Sequence, residues 1–195
     1  MNIALFSDIH ANLPALQAFF IDVDSRNPDA IYCLGDLVGY NIWANEVVNE
    51  IKNRKIPTIA GNYDYGIGRM SNECGCAYKT DLEKDNGKIS IAFTNSIMKD
   101  EQRAYLRTLP AHIKVEFQLN EDKLNLLLVH GSPRKINEYL FEDRERIGNS
   151  SSLSPRNNTP CSRKSPLPPC AGLHPTNHLT ASALFCHICS IFWGV

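Results

Sequence analysis

Residues 2 to 12 read Asn2-Ile3-Ala4-Leu5-Phe6-Ser7-Asp8-Ile9-His10-Ala11-Asn12, and this stretch decides the reading of the chain. Its first half is a short apolar run of the kind that forms a buried strand. Its second half delivers a carboxylate and an imidazole two residues apart where that strand ends. A two-residue period would turn Asp8 and His10 to the same side, where both can hold one metal ion. Asn12 is a helix cap, because Leu13, Leu16, Phe20 and Val23 follow at helical spacing with Pro14 in the first turn.

The same unit recurs downstream. Ala30 to Leu34 is a second apolar run ending at Gly35-Asp36, and Trp43, Val47 and Ile51 mark one face of a helix. Pro57 to Ala60 is a third strand ending at Gly61-Asn62. Residues 66 to 87, rich in Gly, Asn and Cys, read as a loop over the site. Ile89 to Met98 and Asp100 to Leu109 read as two helices, the second stopped by Pro110. Ile113 to Leu119 and Leu124 to Val129 form a hairpin that delivers His130-Gly131, and Glu138 to Arg146 could start another helix. Strands alternating with helices, each strand ending in a polar cluster, predict an α/β chain whose clusters converge at the strand ends.

The chain has 195 residues and a formal net charge of −1. That charge supplies no long-range field for nucleic acid or an anionic membrane, so a phosphate-bearing ligand must be held by a local site. A nucleic-acid platform, with a basic face and interleaved aromatics, is not evident. The N-terminal residues show no secretory leader, so the expected setting is cytoplasmic and reducing, with the 7 cysteines as free thiols. All 21 acidic residues precede position 149, and none occurs in the last 47. Two compositions therefore meet near Gly148, dividing the chain into a domain over 1–148 and a Ser-, Pro- and Cys-rich tail over 149–195 for which no regular structure is expected.

The carriers of chemistry are Asp8, His10, Asp36, Asn62 and His130. Singly, the aspartates read equally well as helix caps, Asn62 as a turn residue and His130 as a surface histidine. Together, four strand ends deliver Asp-x-His, Gly-Asp, Gly-Asn and His-Gly in order. Mixed carboxylate, amide and imidazole donors suit manganese, iron or zinc better than calcium or magnesium alone, and a carboxylate can bridge two ions.

The segments Ser7-Asp8-Ile9-His10-Ala11-Asn12, Gly35-Asp36-Leu37-Val38-Gly39-Tyr40, Gly61-Asn62-Tyr63-Asp64 and His130-Gly131-Ser132-Pro133 resemble the successive motifs of the calcineurin-like metallophosphoesterases, most closely the small bacterial and archaeal phosphodiesterases. The resemblance extends to Tyr139-Leu140-Phe141-Glu142-Asp143, about three quarters of the chain. It implies an α/β (α+β) fold, a four-layer αββα sandwich, and a hydrolase acting on a small phosphoester as phosphodiesterase or phosphatase. It also implies two divalent ions, manganese first, then iron, zinc or nickel. Asp8 and His10 would hold one ion, Asn62 and His130 the other, and Asp36 would bridge them. A metal-bound hydroxide would attack phosphorus. Asp36, Asn62, Tyr63 and Asp64 are then the expected catalytic set, and Arg134 is a candidate phosphate contact.

Two departures qualify that expectation. Many relatives carry histidine where this chain has Tyr63, and a phenol with a reference pKa of about 10 is a poor proton donor at neutral pH. The family's final Gly-His-x-His, which gives one imidazole to each ion, has no match; the nearest text is Gly172-Leu173-His174-Pro175-Thr176-Asn177-His178. The composition break and the lost motif together suggest a gene end altered after about Arg146, with a sandwich incomplete at its C-terminus. The alternative function is therefore a catalytically impaired binding or scaffold protein on the same fold. A zinc knot from Cys161, Cys170, Cys186 and Cys189 with His174 and His178, and a membrane anchor in the apolar stretch from Leu179, are the lesser readings of the tail.

Overall fold

The computed structural model describes residues 1–119, 122–139, 178–182 and 191–194. Strand β1 (Asn2–Phe6) runs parallel to β2 (Ala30–Cys33), with Ile3 opposite Ala30 and Phe6 opposite Cys33. Helix α1 (Leu13–Arg26) makes the crossover between them. Asn12 caps it as the sequence suggests, its Oδ1 accepting from Ala15 N at 3.1 Å. Helix α2 (Ala44–Asn53) returns the chain to an extended segment that contributes a single parallel bridge, Cys33 to Thr58.

Three further helices follow: α3 (Asn62–Gly68), α4 (Asp81–Ile97) and α5 (Asp100–Thr108). The 66–87 segment is thus less of a loop than its composition suggests, since α3 and α4 take both of its ends. The signal for α4 was a capping box: Glu83 N donates to Thr80 Oγ1 at 3.2 Å, and Thr80 N donates back to Glu83 Oε2 at 3.3 Å. Asn86-Gly87 inside the helix obscured it. Strands β3 (His112–Leu119) and β4 (Asp122–Val129) form the expected hairpin.

Two short strands lie within 149–195: β5 (His178–Ser182) pairs parallel with β4, and β6 (Ile191–Gly194) pairs antiparallel with β1. Two three-stranded sheets result, ordered β2-β1-β6 and β3-β4-β5. The rest of that segment, with the zinc-knot cysteines and His174, lies outside the described residues, as do residues 140–146 of the helix expected from Glu138 to Arg146; Glu138 and Tyr139 are not helical.

Alternation along β1 joins the layers. Ala4 and Phe6 face the helices and pack with Leu16, Phe20, Val23, Val47 and Ile51. Ile3 and Leu5 face the second sheet and pack with Leu126 and Leu128. Helices, sheet and facing sheet are therefore stacked as in a mixed α/β metallophosphoesterase fold. Burying each large aliphatic side chain contributes about 1.5–3 kcal/mol, so β1, buried on both faces, is the strand on which the site depends most.

Candidate metal centre

The candidate ligands sit where the strands end and the backbone leaves regular structure. β1 stops at Phe6, and Asp8, His10 and Ala11 then take left-handed conformations (φ 57°, 47° and 55°). The strand period invoked from the sequence is therefore not what aligns Asp8 with His10. Instead, the β1–α1 loop lies against the β2–α2 loop through Asp8 N to Gly35 O (2.9 Å), His10 N to Asp36 O (2.9 Å) and Ala11 N to Leu37 O (2.7 Å). Asp36 (φ 56°) and Tyr40 (φ 62°) are left-handed too. Five non-glycine residues in a conformation that costs energy are concentrated around one point, as happens where geometry serves a site.

Asp8, His10 and Asp36 each offer a ligand atom within 4.8 Å of the others. Asp36 is central and only 3% exposed, and its Oδ2 lies 3.7 Å from His10 Nε2 and 3.6 Å from His130 Nε2. Its Oδ1 accepts from Tyr63 N at 2.9 Å, which fixes the carboxylate plane. Both imidazoles are tethered through Nδ1 to main-chain carbonyls, His10 to Val38 O (3.0 Å) and His130 to Leu34 O (2.8 Å). A carbonyl only accepts, so each Nδ1 carries a proton and each Nε2 faces Asp36, free to act as a metal ligand when the ring is neutral.

Asn62 Nδ2 donates to Cys74 O (2.9 Å), which aims Oδ1 at His130 Nε2, 3.0 Å away. In the metal-free chain a protonated His130 donates from Nε2 to this amide oxygen; once His130 is neutral, the two groups become a pair of acceptors suited to a cation. The donor set therefore fits a cation: an amide oxygen and an imidazole meet at Asn62 and His130, and the half-buried carboxylate of Asp8 lies near the buried one of Asp36. The electrostatics agree. Burial and the Asp36 charge push the Asp8 pKa up. Burial pulls that of His130 down, but the charges of Asp36 and Asp8 outweigh it and raise the value. Among the described residues, the ion pairs of Asp8 and Asp36 are with His10 and His130, not with lysine or arginine.

The other expected site residues are placed differently. Tyr63 is buried against Gly39 and the rings of His10 and Tyr40, with its hydroxyl 3.4 Å from that of Tyr78. Burial drives its pKa far up, so the phenol walls the site rather than supplying a proton. Asp64 is fully buried, and its carboxylate accepts from the main-chain N–H of Asp36 (2.8 Å), Leu37 (2.9 Å) and Gly61 (3.0 Å). Burial and the Asp36 charge push its pKa up to about 7. Arg134 pairs with Glu138, Nε to Oε2 at 3.1 Å, on the exposed side of the 132–138 turn. The 66–87 segment does cover the site, through Cys74 O on Asn62 and Tyr78 on Tyr63. Sequence reasoning gave no role to Tyr40, whose ring lies against His10; its only signal was its place at the end of the Gly35–Tyr40 motif.

With this geometry in place, likeness to known proteins becomes informative. The chain belongs to the calcineurin-like phosphoesterase family, whose model matches residues 1–165. It is 36% identical over 144 residues to an uncharacterized protein of Methanocaldococcus jannaschii, covering 72% of this chain and 54% of that one. The chain thus spans about half the length of that relative. A metallophosphoesterase from Sphaerobacter thermophilus superposes with a TM-score of 0.50 at 29% identity, over 72% of this chain and 51% of that one. A hypothetical protein from Pyrococcus horikoshii superposes with 0.56 at 23% identity, over 74% and 60%, and shares the fold. No described helix is long and apolar enough to cross a membrane.

Proposed function

We propose that the chain is a metal-dependent phosphoester hydrolase, a phosphodiesterase or phosphatase acting on a small phosphoester through a dinuclear centre. The observation that carries this reading is the convergence of two Nδ1-tethered imidazoles on Asp36 Oδ2. Asp8 and His10 would hold one ion, Asn62 and His130 the other, and Asp36 both. Imidazole, amide and carboxylate donors together favour manganese, with iron, zinc or nickel as alternatives. When bound, the ions supply positive charge for the phosphoryl oxygens and lower the pKa of water.

The chain's own residues orient and shield. The carbonyls of Val38 and Leu34 hold the imidazole tautomers, Asn62 is aimed by Cys74 O, and Asp64 fixes the backbone that carries Asp36. Tyr63 closes one side. Among the described residues no group beside the site is matched to protonating the leaving group, so esters with good leaving groups are the favoured substrates. The free thiols Cys33, Cys74 and Cys76 support a reducing, cytoplasmic setting.

A second reading, an impaired binding or scaffold protein, is favoured by one observation: the 195-residue sequence contains no Gly-His-x-His, the motif that in the resembling family gives each ion a further imidazole. Metal content and hydrolysis of bis-p-nitrophenyl phosphate in manganese separate the two. The hydrolase reading expects about two ions per chain and turnover that Asp36→Asn abolishes. Bound metal without such turnover supports the scaffold, and absence of both removes the metal-centre reading.

A further inference from the structure

We propose that Tyr40 is a platform for a flat aromatic group of the substrate, so that the esters this site takes are nucleoside phosphates rather than small alkyl or sugar phosphates. The proposal rests on the hydrolase reading above and names its substrate class. Three observations carry it.

The first is position. The His10 ring lies between two tyrosines, with centroids 4.8 Å from Tyr40 and 5.2 Å from Tyr63, both edge-to-face. A group resting on Tyr40 is therefore within one ring's breadth of the Asp8–His10–Asp36 cluster. The second is exposure. Tyr63 is 1% exposed and belongs to the core, whereas Tyr40 is 48% exposed although it touches Tyr63. Contacts with His10 and Tyr63 therefore leave about half of the Tyr40 side chain open to solvent beside the cluster.

The third observation is that the ring is held in place. Tyr40 is left-handed at φ 62°, directly after Gly39 at φ 97°, and a bulky side chain in that region is a genuine outlier. Its N–H donates to Ser90 Oγ of α4 at 2.7 Å, and Ser90 is buried. The next residue ties the loop to the ligand, with Asn41 Nδ2 donating to His10 O at 2.9 Å. An aromatic surface immobilised before binding loses little entropy when a ring stacks on it. Backbone strain maintained by a buried side chain 50 residues on is the arrangement expected where orientation matters.

The test is equilibrium binding of adenosine 5′-monophosphate and of ribose 5-phosphate to the full manganese-loaded chain by calorimetry. The two ligands share sugar and phosphate and differ in the base. The nucleotide is expected to bind about tenfold more tightly, the scale of one base–aromatic stack. Tyr40→Phe should preserve that ratio. Tyr40→Ala, and Tyr40→Asn as a variant that tolerates the left-handed backbone, should collapse it to about one.

Equal binding of both ligands to the unaltered chain overturns the proposal, as does a ratio that survives both truncations. A parallel loss for both ligands in the variants would assign Tyr40 to positioning His10 and also overturn it. If neither ligand binds while bis-p-nitrophenyl phosphate is hydrolysed in an Asp36-dependent way, the platform fails and the hydrolase stands. If neither binds and no ester is hydrolysed, both readings fail.

Discussion

The buried carboxylate of Asp64 accepts a hydrogen bond from the main-chain N–H of Asp36 at 2.8 Å, and through its two other bonds it ties the β2–α2 loop to the segment that starts α3. Asp64→Asn cannot satisfy all three donors, because an amide has one acceptor oxygen. At least one buried N–H is left without a partner. The expected cost is about 2–4 kcal/mol, since each lost partner in a buried, charge-assisted cluster is worth about 1–3 kcal/mol. Urea unfolding of the metal-free chain measures it. A loss below about 0.5 kcal/mol would show that the clamp contributes nothing.

The same cluster sets a pH dependence. The folded pKa of Asp64, about 7, lies above the ordinary aspartate value of 3.8, and that of Asp8 is raised as well. Between those values the folded chain binds more protons than the unfolded one, so metal-free stability falls as pH rises from about 4 to about 7. The raised pKa of His130 acts in the same direction, its stabilisation being present below 6.5 and lost as pH passes the folded value. Manganese competes with those protons and should reverse the slope. Denaturation midpoints at pH 5 and pH 7.5, with chelator and with manganese, provide the comparison; parallel slopes would contradict it.

Divalent cations should stabilise the fold by mass action. At a concentration a hundredfold above Kd the gain is about 2.7 kcal/mol, equivalent to roughly 5–10 °C in Tm for a chain of this size. Chelation should remove it, and Asp36→Asn should lose most of it because Asp36 faces both imidazoles. Thermal scans across a manganese titration test this.

Gly61 is required by close approach rather than by its dihedral angle. A Cβ there would be driven onto the Asp36 carboxylate and main-chain N, with Asp36 Cγ 2.7 Å away. Gly61→Ala should therefore displace Asp36, lowering stability by about 1–3 kcal/mol and weakening manganese binding together. Unchanged metal affinity, read by calorimetry, would refute this account of the glycine.

Tyr63→Phe isolates the phenol. The hydroxyl meets Tyr78 at only 3.4 Å and is too weak an acid to serve a leaving group. With a nitrophenyl ester, kcat should therefore change by less than about threefold, well short of the 10²–10⁴ that removal of a general acid costs. A hundredfold fall would restore Tyr63 as a proton donor.

Much of this protein was legible because its chemistry is local in sequence. Asp8-Ile9-His10, Gly35-Asp36, Gly61-Asn62 and His130-Gly131 each follow an apolar strand run, and that order led to the family and to five residues that the fold does bring together. The reason given for Asp8 and His10 was incomplete, since left-handed turns and three inter-loop hydrogen bonds align them rather than strand alternation. Helix α4 was read eight residues short, because Asn86-Gly87 weakened a pattern whose start was marked by Thr80 and Glu83. Asp64 and Tyr63, neighbours in one motif and both buried, differ in what they touch: Asp64 clamps the backbone that carries Asp36, and Tyr63 packs on His10 and Tyr40.

By itself the sequence determined the donor types, their order and the strand ends that present them, because apolar period and ligand chemistry are properties of short segments. Only the tertiary structure decided which way each donor faces. The carbonyls of Val38 and Leu34 fix the two imidazole tautomers, Cys74 O aims Asn62, and Ser90 holds Tyr40 open beside His10. Those partners lie 12 to 96 residues from the groups they orient. No local pattern records a hydrogen bond that exists only once distant loops are packed together.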